Sequence, residues 1–177
     1  MNNTETNTEQ KKQHYILFYL GNELFVINVK YVIRVLPATT FTKIPEGPDF
    51  LMGVTNFNGS VLPVVDSYKK FNFKPKENIT KPLILVLNIR VNGKKTNLGF
   101  LVDQSNNVIE VADSEIRPYP ATGTKFNVDY IDGVIQQNDQ FILILNPEKL
   151  FEKEAEISME NEFHTGKTTS GNPDTQI

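Results

Sequence analysis

The residues with the chemistry to act as acids, bases, nucleophiles or metal ligands are few and scattered. The chain has two histidines, His14 and His164, and no cysteine. A cysteine nucleophile, a disulfide scaffold and a thiolate-ligated metal are therefore excluded. Neither histidine has a neighbour at metal-ligand spacing, so no cofactor or metal is expected. There is no glycine-rich phosphate loop, no Gly-x-Ser-x-Gly and no His-Glu-x-x-His. Two carboxylates, Asp66 and Asp103, stand at the ends of apolar segments, where an enzyme could place an acid and a base. The same positions suit helix capping and turn formation, which is the preferred reading. The basic pairs Lys69-Lys70 and Lys94-Lys95 read as solvated faces. These features favour a surface that binds over a site that reacts.

Charge supports this. The formal net charge is −3 over 177 residues. It is unevenly spread: residues 152–177 carry −4, residues 1–13 are neutral, and the body 14–151 is left at +1. A near-neutral body lacks the basic excess of a nucleic-acid binder. No apolar run is long enough for a signal peptide or a membrane span, so a cytoplasmic protein without membrane insertion is expected. Residues 1–13 and 152–177 are polar, and they read as a disordered leader and a disordered acidic tail flanking a single domain at 14–151.

The elements that must position any site are β-strands. The segments Tyr15–Leu20, Leu24–Val29, Leu51–Phe57, Val61–Val65, Leu83–Val91, Leu98–Asp103, Val108–Val111, Tyr130–Ile135 and Phe141–Leu145 are short and rich in β-branched and aromatic residues. Turn residues bound them. Asn92-Gly93 is a strong hairpin signal, and Gly21-Asn22, Asn58-Gly59 and Asn138-Asp139 are weaker ones. Several strands are apolar at consecutive positions, as in strands buried on both faces or lining a closed barrel. Two short helices are expected, one capped by Asp66 and one opened by Asn146-Pro147.

The chain also resembles itself. Residues 51–71, LMGVTNFNGSVLPVVDSYKKF, align without gaps on 131–151, IDGVIQQNDQFILILNPEKLF. Gly53 meets Gly133, Asp66 meets Asn146 and Phe71 meets Phe151. This predicts two related β subdomains joined near 72–82.

The stretch 53–71, GVTNFNGSVLPVVDSYKKF, resembles the signature of the CheW family of chemotaxis coupling proteins. There the pattern is roughly Gly-Val-x-Asn-x-Arg-Gly-x-Val-x-Pro-Val-x-Asp-Leu-Arg-x-x-Phe. Tyr15–Asn28 resembles the family's opening hairpin, 99–118 its Gly-x-x-Val-Asp segment, and Tyr130–Phe151 its closing hairpin and helix. The resemblance implies an all-β fold of two five-stranded SH3-like barrels with short helices. It implies a non-enzymatic adaptor that couples membrane chemoreceptors to the histidine kinase CheA, whose regulatory domain shares the fold. By the same resemblance Val32, Arg34, Gly53, Asn56, Asn58 and Gly59 lie on or near the receptor-facing groove, and apolar barrel ends face the kinase. The chain departs from the pattern at that groove. Asn58 replaces an arginine, Arg34 stands where an acid is common, and Ser67-Tyr68 replaces Leu-Arg. These changes allow a second reading, a CheW-like paralogue in another chemosensory assembly. Outside the family, the alternatives are a small barrel that binds nucleic acid or a ligand, and an enzyme using Asp66 and Asp103.

Overall fold

The computed structural model describes residues 10–123 and 128–152. Ten strands form two five-stranded sheets. The strands are β1 (Lys12–Leu20), β2 (Glu23–Asn28), β3 (Val32–Pro37), β4 (Leu51–Phe57), β5 (Ser60–Val65), β6 (Leu83–Val91), β7 (Lys94–Val102), β8 (Gln104–Ala112), β9 (Ile131–Gln137) and β10 (Gln140–Leu145). Helices α1 (Ser67–Phe71) and α2 (Pro147–Phe151) follow β5 and β10. The first sheet has the order β8-β1-β2-β10-β9 and the second β3-β6-β7-β5-β4.

Each sheet curls back on itself. Past β3, Thr42 exchanges two backbone hydrogen bonds with Val54 of β4, at 2.9 and 2.8 Å. Past β8, Arg117 does the same with Val134 of β9, at 2.9 and 2.8 Å. Both five-stranded units are thereby closed in the same way, which hides sheet edges that would otherwise invite pairing.

The strands that are apolar at consecutive positions divide their side chains between two cores, as the period of two requires. In β2, Leu24 and Val26 face the interior of the first barrel, while Phe25 and Ile27 join a larger core between the barrels. In β6, Ile84 and Val86 line the second barrel and Leu85 and Leu87 join the shared core. That shared core is largely aromatic. Phe18 stacks on Phe25 at 5.5 Å, Phe25 on Phe71 at 5.4 Å, and Phe100 meets Phe151 edge-on at 6.4 Å. Phe71 and Phe151 come from α1 and α2, so each five-residue helix plugs the space between barrels.

The hairpin turns form where the turn residues stand. Asn58-Gly59, Asn92-Gly93 and Asn138-Asp139 all have positive φ at both central residues, the geometry that matches the strand twist.

Three expectations need correction. The leader does not extend to residue 13: β1 begins at Lys12, which pairs with Ala112, and Gln13 pairs with Val111. None of the expected strands covers β3. It is half-exposed and lies at a sheet edge, so it lacks the dense apolar pattern of its neighbours. Finally, segment 72–82 does not separate the two barrels, because β5 before it and β6 after it lie in the same sheet. The repeat is present in chain order, with β1–β5 matching β6–β10 position by position in the two sheets. The copies have exchanged their first two strands. β1 and β2 complete the sheet of β8, β9 and β10, and β6 and β7 complete that of β3, β4 and β5. The exchange is sealed by the parallel pairs β2–β10 and β5–β7, which no hairpin signal announces. The acidic tail beyond Glu152 and residues 1–9 of the leader lie outside the described residues.

Candidate functional site

The six residues that the resemblance assigns to a receptor-facing groove fall on β3 and on the β4–β5 hairpin. Val32 opens β3 half-buried, against the shared core. Arg34 is exposed between two exposed aliphatics, Ile33 at 48% and Val35 at 38%. Gly53 is buried in β4 with φ +147, and a Cβ there would lie 2.3 Å from the Thr42 carbonyl oxygen. Its absent side chain is what lets the strand after β3 approach and close the barrel. The exposed Asn56 side chain accepts a hydrogen bond from the Gly59 N–H at 3.1 Å, fixing the turn. Asn58 and Gly59 are the turn itself, with φ 51 and 81.

These positions form a strip rather than one cluster. The Thr42–Val54 bridge and the facing Thr39 and Thr55 hydroxyls place the β4–β5 turn near the Pro37 end of β3. Val32 is at the other end of that strand, about 17 Å away along an extended chain. Four of the six have a conformational task of their own: Gly53 for the close approach, and Asn56, Asn58 and Gly59 for the turn.

The sequence did not reveal the apolar side chains that reach solvent. Val61 is 54% exposed and Phe141 is 66% exposed. Both belong to segments that read as buried strands. They are equivalent residues of the repeat, each one place into the second strand of its hairpin, opposite Asn56 and Gln136. Val108 on β8 is 55% exposed and holds the place in its sheet that Val35 holds in the other, each opposite the next-to-edge strand. Alignment of the two copies carries this signal, because both hairpins place an aliphatic or aromatic residue directly after a polar turn.

The carboxylates Asp66 and Asp103 have the capping and turn roles. Asp66 caps α1 by accepting from the Lys69 N–H at 3.2 Å. Asp103, the one residue between β7 and β8, accepts from the Gly21 N–H at 2.7 Å and from the Tyr68 hydroxyl at 2.6 Å. The two acids are neighbours of the same tyrosine, and each accepts the hydrogen bonds of its cap or turn. Burial and the Asp103 carboxylate push the Tyr68 hydroxyl well above its usual range. In the other barrel, the Lys149 ammonium pairs with Asp132 at 2.8 Å, and that bond raises the lysine above its usual range.

Two closed five-stranded barrels, exposed apolar side chains at equivalent hairpins and the use of Asp66 and Asp103 in a cap and a turn describe a scaffold. Residues 14–155 match the CheW-like domain family. The chain belongs to the CheW family. It is 27% identical over 150 residues to a probable chemotaxis protein CheW of Rhizobium etli, covering 84% of this chain and 94% of that one. It is 28% identical over 149 residues to the chemotaxis protein CheW of Klebsiella aerogenes, covering 84% and 87%. Among solved structures, the scaffolding protein TtCheW of Thermoanaerobacter tengcongensis matches with a TM-score of 0.72 at 28% identity, covering 84% of this chain and 93% of that one. The chain is thus a non-enzymatic chemotaxis scaffold of the CheW type, with the two-barrel fold that the resemblance implied. Among the described residues, no helix is long and apolar enough to cross a membrane.

Proposed function

We propose that this CheW-family scaffold is a cytoplasmic adaptor that binds the regulatory domain of the histidine kinase CheA and the cytoplasmic tip of a membrane chemoreceptor. The observation that carries the reading is the pair of exposed apolar hairpin ends, Val61 on one barrel and Phe141 on the other. Exposed aromatic and aliphatic anchors on a rigid frame are what a protein interface uses. Titration against the kinase's regulatory domain tests it, with a complex expected at low micromolar concentration. No complex at about 100 μM, where binding would be worth only about 5 kcal/mol, overturns the kinase half.

The receptor half rests on the strip from Val32 and Arg34 to Gly53, Asn56, Asn58 and Gly59. The paralogue reading is favoured there by one observation. Asn58 occupies the left-handed turn (φ 51), a conformation that asparagine tolerates and arginine resists by roughly 1–2 kcal/mol. The turn has thus settled on conformational ease in place of a five-donor fork. Asn58→Arg separates the readings. Tighter receptor binding with unchanged kinase binding places Asn58 at a weakened contact of the family type. Unchanged receptor affinity removes Asn58 from that contact.

A further inference from the structure

An open groove of about 730 Å³ runs between the β1–β2 turn and the C-terminal end of α1. Its floor is aromatic. Phe71 stacks on Phe73 at 5.6 Å and meets Tyr130 at 5.3 Å. Lys74 and Lys76, both exposed, stand on one wall, and Glu23 is on the other. Neither lysine is in an ion pair among the described residues. None of its lining residues belongs to the β3 strip or to the Val61 and Phe141 ends, so neither proposed partner accounts for it.

The start of α2 is tied to a residue that lines this groove. The Asn146 N–H donates to the Tyr130 carbonyl oxygen at 2.9 Å. The Phe151 ring is 6.4 Å from Phe100, which is 6.1 Å from Phe71. The last helical residue is therefore two ring contacts from the groove floor. Beyond Glu152 the sequence runs Lys153-Glu154-Ala155-Glu156-Ile157-Ser158-Met159-Glu160-Asn161-Glu162-Phe163. Its acids Glu154, Glu156, Glu160 and Glu162 all fall at even positions, and Ile157, Met159 and Phe163 at odd ones. In an extended chain this period puts acids on one side and large apolar groups on the other. Eleven extended residues span about 36 Å, more than the groove requires.

We propose that residues 154–163 occupy this groove in the same chain. Ile157, Met159 and Phe163 lie on the aromatic floor, and the glutamates face Lys74 and Lys76. Charge complementarity, apolar period and the length of chain beyond Glu152 all agree on this occupant. The segment then covers an aromatic surface that would otherwise be open to other acidic, apolar chains.

Zero-length carbodiimide coupling of the full chain at low micromolar concentration tests this, using an equal mixture of ¹⁴N- and ¹⁵N-labelled protein. The expected products join Lys74 or Lys76 to one of the four glutamates within chains of one isotope. In the variant I157S/M159S/F163S, which keeps every charge and alters no residue of the two sheets, their yield should fall at least fivefold. An unchanged yield in that variant means a loose electrostatic tether and overturns docking. Equal coupling to Lys94 and Lys95 on the β6–β7 turn also overturns it. Predominantly mixed-isotope products assign the groove to a second copy and overturn the intramolecular occupant.

Discussion

In the β4–β5–α1 unit, the strand turn is Asn58-Gly59, the helix cap is Asp66, and α1 sends the Tyr68 hydroxyl to Asp103, where the chain crosses between sheets. In the β9–β10–α2 unit, the turn is Asn138-Asp139, the cap is Asn146, and α2 sends the Lys149 ammonium to Asp132 of its own sheet. Element order, turn geometry and register agree, and the closing bridges match to within 0.1 Å. The chemistry at the surface differs. One hairpin presents Val61 beside asparagines and glycine. The other presents Phe141 beside Gln136 and an acidic turn. A duplicated frame has therefore kept its packing and let its two ends diverge.

The comparison can be broken at its root by cutting the chain in segment 72–82. Because each sheet draws strands from both copies, neither half should fold alone. Mixed, the two fragments should recover a β circular-dichroism spectrum and a cooperative melt that neither shows separately. A half that folds by itself would mean that the exchange is not obligatory.

The two closure glycines should respond unequally. At Gly53 an added Cβ meets the Thr42 backbone at 2.3 Å, with φ +147. At Gly133 the nearest atom is the Ile116 Cγ2 at 2.6 Å, the end of a side chain, followed by the Arg117 carbonyl oxygen at 2.9 Å. Gly53→Ala should cost about 3 kcal/mol or more, and Gly133→Ala about 1–2 kcal/mol, by urea unfolding. Equal costs would show that the barrels close with equal tightness.

The exposed ends should differ in the opposite sense. Phe141→Ser should weaken binding of the kinase regulatory domain by about 2 kcal/mol, and Val61→Ser by about 1 kcal/mol or less, in isothermal titration. Both variants should unfold within about 0.5 kcal/mol of the parent, because both side chains are exposed. A larger loss at Val61 would reverse the assignment of the stronger anchor.

The smallest effect is set by Tyr68. Its hydroxyl is raised above the ordinary 10.0 in the folded state, by burial first and by Asp103 second. The folded state thus holds the proton longer than the unfolded chain does. The contribution is whole below pH 10 and is lost as pH rises beyond it. Tyr68→Phe should cost about 1 kcal/mol at pH 7 and should flatten the alkaline limb of a stability profile. A profile of the variant that falls as steeply as the parent's would assign that limb to another group.

Much of this was legible in the sequence because the signals are local. Asn92-Gly93 and Asn58-Gly59 demand positive φ and so fix their hairpins. Asp66 and Asn146 cap the helices they precede. The consecutive apolar residues of β2 and β6 demand two buried faces. The illegible part depends on distant pairing. No turn residue records that Phe25 lies beside Leu143, or Val64 beside Gly99. Strand β3 escapes a sequence reading because it touches one neighbour only and leaves Ile33, Arg34 and Val35 in solvent. Val61 and Phe141 look like core in the sequence because a β-branched or aromatic residue next to a buried run looks the same on either side of the water boundary. The resemblance named positions on the strip, and the structure gives Gly53, Asn56, Asn58 and Gly59 conformational reasons to be what they are.

The strand exchange has a consequence for synthesis. The β1–β2 hairpin leaves the ribosome first, but β10, its partner through Phe25 and Leu143, emerges roughly 120 residues later; at about 5–20 residues per second the wait is on the order of ten seconds. During that time Phe25 and Ile27 lack β10 and α2, which complete the core around them. The first barrel to close is then the one built from consecutive strands, β3 to β7, while the β1–β2 hairpin still waits for its sheet. A slow codon run or a bound chaperone between β7 and β8 would prolong the interval in which the nascent chain is most adhesive.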